Sequence, residues 1–247
     1  MPDWILMRKL KKSAKIPSRK LNEGEDRRSR IILTAIIAGS FLMVLAIIYG
    51  YMSLTSWLTE RSIVRGISSE NEDEQVSAIR TIVIGKHQQH LPSVCAMLAG
   101  DASVKVREEA LKGIRQSNFR EGVPAVVHAL GDTNKALSEE ALKVLSMLAR
   151  ENIAWENVLD WWEKNQQLFA GAPAATDDVP VVSGLEKMLK STDKYERKEA
   201  VERLEKLRHW KARDALAAAA ADPDADVRAA AERALGAIRT RPSEAAN

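Results

Sequence analysis

The chain has a single cysteine, Cys95, among its 247 residues, so no disulfide can form within it. This fits either a reducing compartment or an extracytoplasmic domain that folds without cross-links. Aromatic residues are also scarce, at 5% of the chain, whereas alanine is abundant. Because alanine favours helices and aromatic residues favour strands, the composition predicts an all-α protein.

Motifs that would mark an enzyme or a cofactor site are missing. The sequence has no Gly-rich phosphate loop, no nucleophile elbow and no CxxCH haem-attachment motif. His87 and His90 precede Cys95, but their spacing matches no standard zinc pattern and a fourth ligand is not evident. We interpret them as part of a turn between helices. We therefore expect a non-catalytic protein with no cofactor, no metal and no small-molecule substrate.

Charge is unevenly distributed along the chain. Residues 1–30 hold ten Lys or Arg and four Asp or Glu, a net charge of +6, whereas the remainder has a net charge of −3. A mildly acidic main domain does not support nucleic-acid binding. The basic character is therefore concentrated in an N-terminal arm, residues 1–30.

Charged residues are absent between positions 31 and 59. The core of this stretch, residues 31–52, would span roughly 33 Å as an α-helix, which matches the hydrocarbon thickness of a bilayer. The residues that follow form a poor signal-peptidase site. We therefore predict an uncleaved transmembrane helix over residues 31–53, with the lipid bilayer as its surroundings.

The flanks of this helix predict its orientation. Ten basic residues precede it, whereas the twenty residues after Thr59 hold only Arg61 and Arg65 beside five acidic residues. The positive-inside rule then places the N-terminus in the cytoplasm and the C-terminal domain outside it, in the periplasm if the source is bacterial. Alternatively, the basic arm binds a cytoplasmic partner and the orientation is set by other features.

Small residues recur on one side of the predicted membrane helix. Ala35, Gly39, Ala46 and Gly50 follow one another by four, seven and four positions. Such a stripe lets a second membrane helix approach closely, although glycine and alanine are also common in membrane helices by chance. We favour a packing face for a subunit of a membrane protein complex.

An alanine-centred pattern recurs five times after the apolar run. The alanines are 31 or 32 residues apart, except for one step of 59, and an aliphatic residue follows each by four positions. An aspartate precedes three of them by nine positions and is expected to cap the second helix of each unit. These features predict helix pairs that stack into a solenoid. The alanines are Ala78, Ala110, Ala141, Ala200 and Ala231, and the aspartates are Asp101, Asp132 and Asp222.

Two segments carry a family resemblance. Residues 222–236, DPDADVRAAAERALG, resemble a HEAT repeat of the bacterial type that also occurs in phycobilisome lyases, and residues 101–113, DASVKVREEALKG, are a second good match. The unit at Ala141 keeps the alanine but has Leu137 and Ser138 where the others have valine and arginine. The resemblance implies a HEAT-like α-solenoid of about five helix pairs, and such arrays are mostly surfaces for protein interaction.

The 59-residue step holds a different pattern. Trp155, Trp161 and Trp162 fall within eight residues and are followed by a loop-like segment, residues 171–178. The three tryptophans could form a binding hot spot for a partner. The alternative, which we favour, is that they fill the solenoid core where a regular repeat is missing, with Trp161 the one expected to face outward.

Paired glutamates recur at the same repeat position, which predicts a solvated helix face rather than a catalytic carboxylate pair. They are Glu108 and Glu109 in one unit and Glu139 and Glu140 in the next. The chain then divides into a basic cytoplasmic arm (1–30), a transmembrane helix (31–53), HEAT-like repeats (54–152), a Trp-rich helix and linker (153–182), further HEAT-like repeats (183–240) and a flexible tail (241–247).

These features together predict a single-pass membrane protein that serves as a non-catalytic scaffold or accessory subunit of a larger membrane complex. Two alternatives remain open at this point. One is a lyase-like HEAT protein that handles a tetrapyrrole, although bilin lyases are soluble. The other is a regulator that transmits a signal between the basic arm and the solenoid.

Overall fold

A computed structural model of the chain describes residues 23–100, 102–171 and 180–238. Every regular element in these residues is helical, which confirms the all-α class. Most of the predicted arm and the whole predicted tail lie outside the described residues. The eleven α-helices of the described part are α1 (Glu23–Ile67), α2 (Glu72–Ile84), α3 (Leu91–Ala99), α4 (Val104–Ser117), α5 (Val123–Ala129), α6 (Lys135–Ala149), α7 (Val158–Asn165), α8 (Pro180–Leu189), α9 (Lys194–Leu207), α10 (Arg213–Ala219) and α11 (Ala225–Ala237).

The chain divides into two compact units, residues 1–59 and residues 60–247. The first unit contains most of α1, in which every side chain from Ile31 to Leu54 is exposed. The segment Arg30–Ile67 reaches a mean hydropathy of 2.8 in its most apolar window, and none of that window is buried. By length and composition, α1 is able to cross a bilayer.

Helix α1 continues past the apolar run as far as Ile67. Its last turns belong to the second unit, where Ile63 is fully buried. At Gly66 the end of α1 approaches α2 closely, because a Cβ at this position would lie 2.7 Å from the Cβ of Ala78 on α2. The last turns of α1, residues 60–67, and helix α2 therefore form the first helix pair of the repeat array.

Four further helix pairs follow: α3 with α4, α5 with α6, α8 with α9, and α10 with α11. The second helix of every pair carries a repeat alanine, and all five alanines are at most 4% exposed. The aliphatic residue four positions later is buried in the first four pairs, and Leu235 of the last pair is partly buried. These observations confirm the predicted repeat register and the predicted five helix pairs.

Polar residues cap the second helices, but they are not the predicted aspartates. Asn134 caps α6 and Asp224 caps α11, each by accepting backbone N–H bonds from the first turn. The prediction that Asp132 and Asp222 act as caps is therefore wrong. Each lies two residues earlier and accepts the backbone N–H of the capping residue, at 2.8 and 2.9 Å. Asp101, the third predicted cap, lies outside the described residues.

Helix α7 interrupts the regular order of the pairs. A short 3-10 turn, Trp155–Asn157, comes directly before α7. Similar 3-10 turns come before α3, α5 and α10, each of which is the first helix of its pair. However, α8 rather than α7 packs against α5. At that contact a Cβ on Gly184 would collide with the carbonyl group of Gly131, so glycine is required there. The segment that contains α7 is therefore an insertion between the third and fourth pairs.

Candidate interaction surfaces

The predicted small-residue face of α1 is uncovered in the described structure. Ala35, Gly39, Ala46 and Gly50 are all exposed, and at 3.6 residues per turn they lie on one side of the helix. A Cβ added at Gly39 or at Gly50 would have no neighbour within 4 Å. The face therefore has room for a second helix at close range.

Hydroxyl groups along α1 bond within the helix. Thr34, Ser40 and Thr55 donate to backbone carbonyls three or four residues earlier, at 2.8 to 3.0 Å. A hydroxyl bonded in this way costs much less in hydrocarbon than an unpaired one. The polar residues of α1 are thus compatible with apolar surroundings.

The three tryptophans of the insertion differ in their surroundings. Trp162 is 2% exposed and stacks on Phe169, with ring centroids 6.2 Å apart, so it packs in the core. Trp161 is partly buried, and its Nε1 donates to the carboxylate of Glu151 at 3.1 Å. Trp155 is also partly buried and begins the 3-10 turn before α7. The structure therefore separates one core tryptophan from two that keep some exposure.

Acidic residues of α7 hold the insertion against the turn after α9. The Nε2 atom of His209 lies 3.4 Å from a carboxylate oxygen of Asp160 and 3.9 Å from one of Glu163. Lys211 lies 2.6 Å from the same oxygen of Glu163. His209 is itself buried, at 3% exposure. Polar contacts as well as apolar packing therefore fix α7 in place.

Within the described residues, arginine–aspartate pairs join neighbouring repeats at two places. Arg107 donates to both carboxylate oxygens of Asp132, at 2.6 and 3.0 Å. Arg197 does the same to Asp222, at 2.7 and 3.1 Å. The hydrogen bonds from Arg197 hold the pKa of Asp222 below its usual value. We call each such pair a rung.

The rungs were not predicted from the sequence, although the sequence contains a signal for them. Arg107 and Arg197 both stand three positions before a repeat alanine, and each pairs with an aspartate 25 positions later. Each arginine also donates to backbone carbonyls of its own loop, at Ala102 and at Ser191. One guanidinium thus connects its own loop to the loop of the next repeat.

Two of the predicted solvated glutamates also join repeats, which corrects that prediction. Glu109 pairs with Arg80 of the preceding unit at 2.8 Å and is only 16% exposed, and Glu140 pairs with Arg115 at 2.6 Å. The hydrogen bond from Arg80 lowers the pKa of Glu109. The neighbouring Glu108 and Glu139 are exposed, as predicted.

The candidate metal ligands of the sequence have other contacts. The Nε2 atom of His90 lies 2.7 Å from a carboxylate oxygen of Glu60 near the end of α1. Cys95 is buried, and burial raises the pKa of its thiol to about 12, which makes it unreactive. Within the described residues, no three His, Cys, Asp or Glu side chains converge as a metal site would require.

A cleft of about 290 Å³ lies between α8 and α10. Alanines form much of its wall, and Glu186, Lys190 and Asp214 supply its charged groups. A smaller cleft of about 160 Å³ lies beside the rung of Arg107 and Asp132. Neither cleft gathers the groups that nucleophilic or acid–base catalysis needs around one point.

Comparison with known protein families finds a repeat family in the C-terminal part of the chain. Residues 182–247 match the HEAT repeats family, which confirms the resemblance for the C-terminal repeats without singling out the lyase type. No curated protein sequence matches this chain. The designed armadillo repeat protein YIII(Dq)4CqI is 18% identical over 72% of this chain and 98% of its own, with a TM-score of 0.28.

Two further solved structures are similar in the same way. An engineered protein is 20% identical over 71% of this chain and 77% of its own, with a TM-score of 0.30. The designed armadillo repeat protein YIII(Dq.V1)4CPAF, in complex with the peptide (KR)4, is 18% identical over 72% and 98%, with a TM-score of 0.28. Because these TM-scores are low, the repeat architecture is assigned from the helix pairs of this chain and not from the solved structures.

Proposed function

We propose that this protein is a non-catalytic, membrane-anchored repeat scaffold, an accessory subunit that docks onto a larger membrane protein complex. The surface of α1 carries the proposal, because it exposes apolar side chains on every side over residues 31–54. Apolar surface in water costs about 25 cal/mol per Å², so a helix of this kind requires cover. A bilayer provides that cover, and the apolar run has the length of a membrane span.

The charge distribution supports one orientation of the anchor. The net charge of +6 over residues 1–30 favours the cytoplasmic side for the N-terminus. The repeats that follow α1 then lie outside the cytoplasm, in the periplasm if the source is bacterial. In this arrangement the anchor and the repeats contact different parts of the same complex.

Two surfaces are proposed as partner contacts. In the membrane, Ala35, Gly39, Ala46 and Gly50 receive a helix of another subunit, because small residues let backbones approach closely. Outside the membrane, Trp155 and Trp161 are candidates for the contact, since partly exposed tryptophans are enriched in binding hot spots. Trp162 is left out of this second surface because it is buried in the core.

Co-purification of the full-length chain from gently solubilised membranes tests the docking proposal. The double variant Gly39→Leu, Gly50→Leu should lose its partner subunits, because leucine prevents close helix approach. Both positions have open space within this chain, so the variant should still fold and insert. The matched control Val44→Phe, Ile48→Phe adds bulk to the opposite side of α1 and should keep the partners.

Each result bears on a separate part of the proposal. All variants should stay with the membrane after extraction with alkaline carbonate, and release of the wild-type chain would overturn the anchor. If the glycine double variant keeps the same partners as the wild type, the small-residue face is not the docking surface. If both double variants lose the partners equally, the docking is not specific to one side of α1.

A further inference from the structure

Three buried polar atoms have no hydrogen-bond partner in the described structure, and all belong to residues near one junction. They are Nε1 of Trp162, an Oε atom of Glu199 and Nε of Arg203. Trp162 lies in the insertion, and the other two lie on α9, the helix that follows it. Unpaired buried polar groups are rare in stable interiors and each requires a physical reason. Here they mark the junction between the third and fourth helix pairs.

The rungs that join the second pair to the third and the fourth pair to the fifth are missing at this junction, as the rung arginine also is in the first pair, where Gln75 takes its place. The position of the rung arginine is taken by Ser138, and the position of the rung aspartate is taken by Ser191. Ser138 is buried and donates to the carbonyl of Lys135 in its own helix, so it does not reach the next repeat. The side-chain bonds that hold α4 to the α6 loop, and α9 to the α11 loop, therefore have no equivalent between α6 and α9.

Helix packing is interrupted on one side of the junction only. α2 packs along α4, and α9 packs along α11, but α6 and α9 make almost no contact although both are described over their full lengths. The Trp155–Asn157 turn of the insertion contacts α9 instead. On the other side, the first helices α5 and α8 do pack together. At this junction the first helices of the two neighbouring pairs, α5 and α8, are therefore in contact, whereas the second helices, α6 and α9, are not packed together. We call the first of these the closed side.

Arg203 supplies a polar link across the closed side. It is 4% exposed and donates to the carbonyl oxygens of Leu130 and Asp132, both at 2.6 Å. These carbonyls lie at the C-terminal end of α5, where a positive charge is favourable. The contact of Gly131 with Gly184 lies beside these bonds. Backbone and side chain together form a compact pivot.

We propose that this junction is a hinge of the repeat array. The first three pairs and the last two pairs behave as rigid blocks that rotate about the pivot formed by Gly131, Gly184 and Arg203. The insertion crosses this junction, so rotation also shifts the contacts of α7 with His209 and Lys211. Rotation changes the separation of α6 and α9 and brings water to the three unpaired polar atoms. The array thereby adjusts its curvature to a partner, which goes beyond a rigid scaffold.

Distances between pairs of spin labels test the hinge in the full-length protein in lipid nanodiscs. Cys95 is replaced by serine, and cysteines are introduced at exposed positions two units apart. The pair Lys112→Cys with Glu202→Cys crosses the junction, whereas the pair Ser77→Cys with Lys143→Cys lies within the first block. The crossing pair should give a distance distribution at least about twofold broader than the control pair. Equal widths would overturn the hinge.

A second variant tests the pivot separately. Arg203→Met removes the bonds to α5 and should broaden the crossing distribution further while leaving the control pair unchanged. Arg197→Met, which removes the rung between the last two pairs, serves as the matched comparison and should not broaden the crossing pair as much. If Arg203→Met has no effect on the crossing pair, or broadens both pairs equally, Arg203 is not the pivot.

Discussion

Replacement of Trp162 provides a quantitative test of how the insertion is built. A tryptophan that is 2% exposed removes about 200 Å² from water, which contributes about 5 kcal/mol at about 25 cal/mol per Å². Its unpaired indole N–H offsets about 1–3 kcal/mol of this. Trp162→Ala should therefore destabilise the repeats by about 2–4 kcal/mol.

The variant Trp162→Phe separates the two contributions. Phenylalanine keeps an apolar ring against Phe169 and removes the unpaired N–H, so the free energy of unfolding should stay within about 1 kcal/mol of the wild type. Trp161→Ala is the control, because Trp161 is only partly buried, and its cost should be about 1 kcal/mol or less.

Urea titration of the full-length chain in mild detergent, followed by circular dichroism, measures these differences. Hydrogen exchange then locates them, since a repeat array loses stability first near the altered unit. If Trp162→Ala costs no more than Trp161→Ala, the insertion is not a packed part of the core. If Trp162→Phe lowers the free energy of unfolding as much as Trp162→Ala does, the unpaired indole N–H does not destabilise the wild type as proposed.

Further predictions concern the register, acid stability and topology. Ala110→Trp should overpack a helix contact at a cost on the order of 1–3 kcal/mol, and proteases should then cleave within the second and third pairs. The control Glu108→Gln should leave the melting temperature unchanged. If Glu108→Gln unfolds the protein and Ala110→Trp has no effect, the repeat register is wrong. Arg197 lowers the pKa of Asp222 in the folded protein below its unfolded value of about 3.9. Ionised Asp222 therefore stabilises the fold above the unfolded pKa, and this stabilisation is lost as the pH falls through the lower folded pKa. Urea midpoints should therefore fall more steeply below about pH 4 for the wild type than for Asp222→Asn, and parallel curves would contradict this. A reporter active only outside the cytoplasm should be active when fused after Asn247, and activity of a cytoplasm-only reporter there would reverse the proposed orientation.

Sequence alone determined the features that depend on local composition and period. The uncharged run from position 31 to 59 predicted the long exposed helix, because hydropathy and length are properties of one segment. The alanines at steps of 31 and 32 residues predicted the buried helix contacts, because a side chain as small as that of Ala110 fits where two helices approach most closely. The number of helix pairs followed from the same period.

Tertiary structure alone decided which polar side chains join repeats and where the array is interrupted. Asp132 and Glu109 were predicted as a cap and a solvated residue, yet their partners are arginines of other repeats. The burial of Trp162 and the displacement of α7 by α8 likewise depend on segments distant in sequence. The physical reason is that helix propensity and hydrophobic period act within a few turns, whereas the partner of a charge is set by whichever loop the packing brings within about 3 Å.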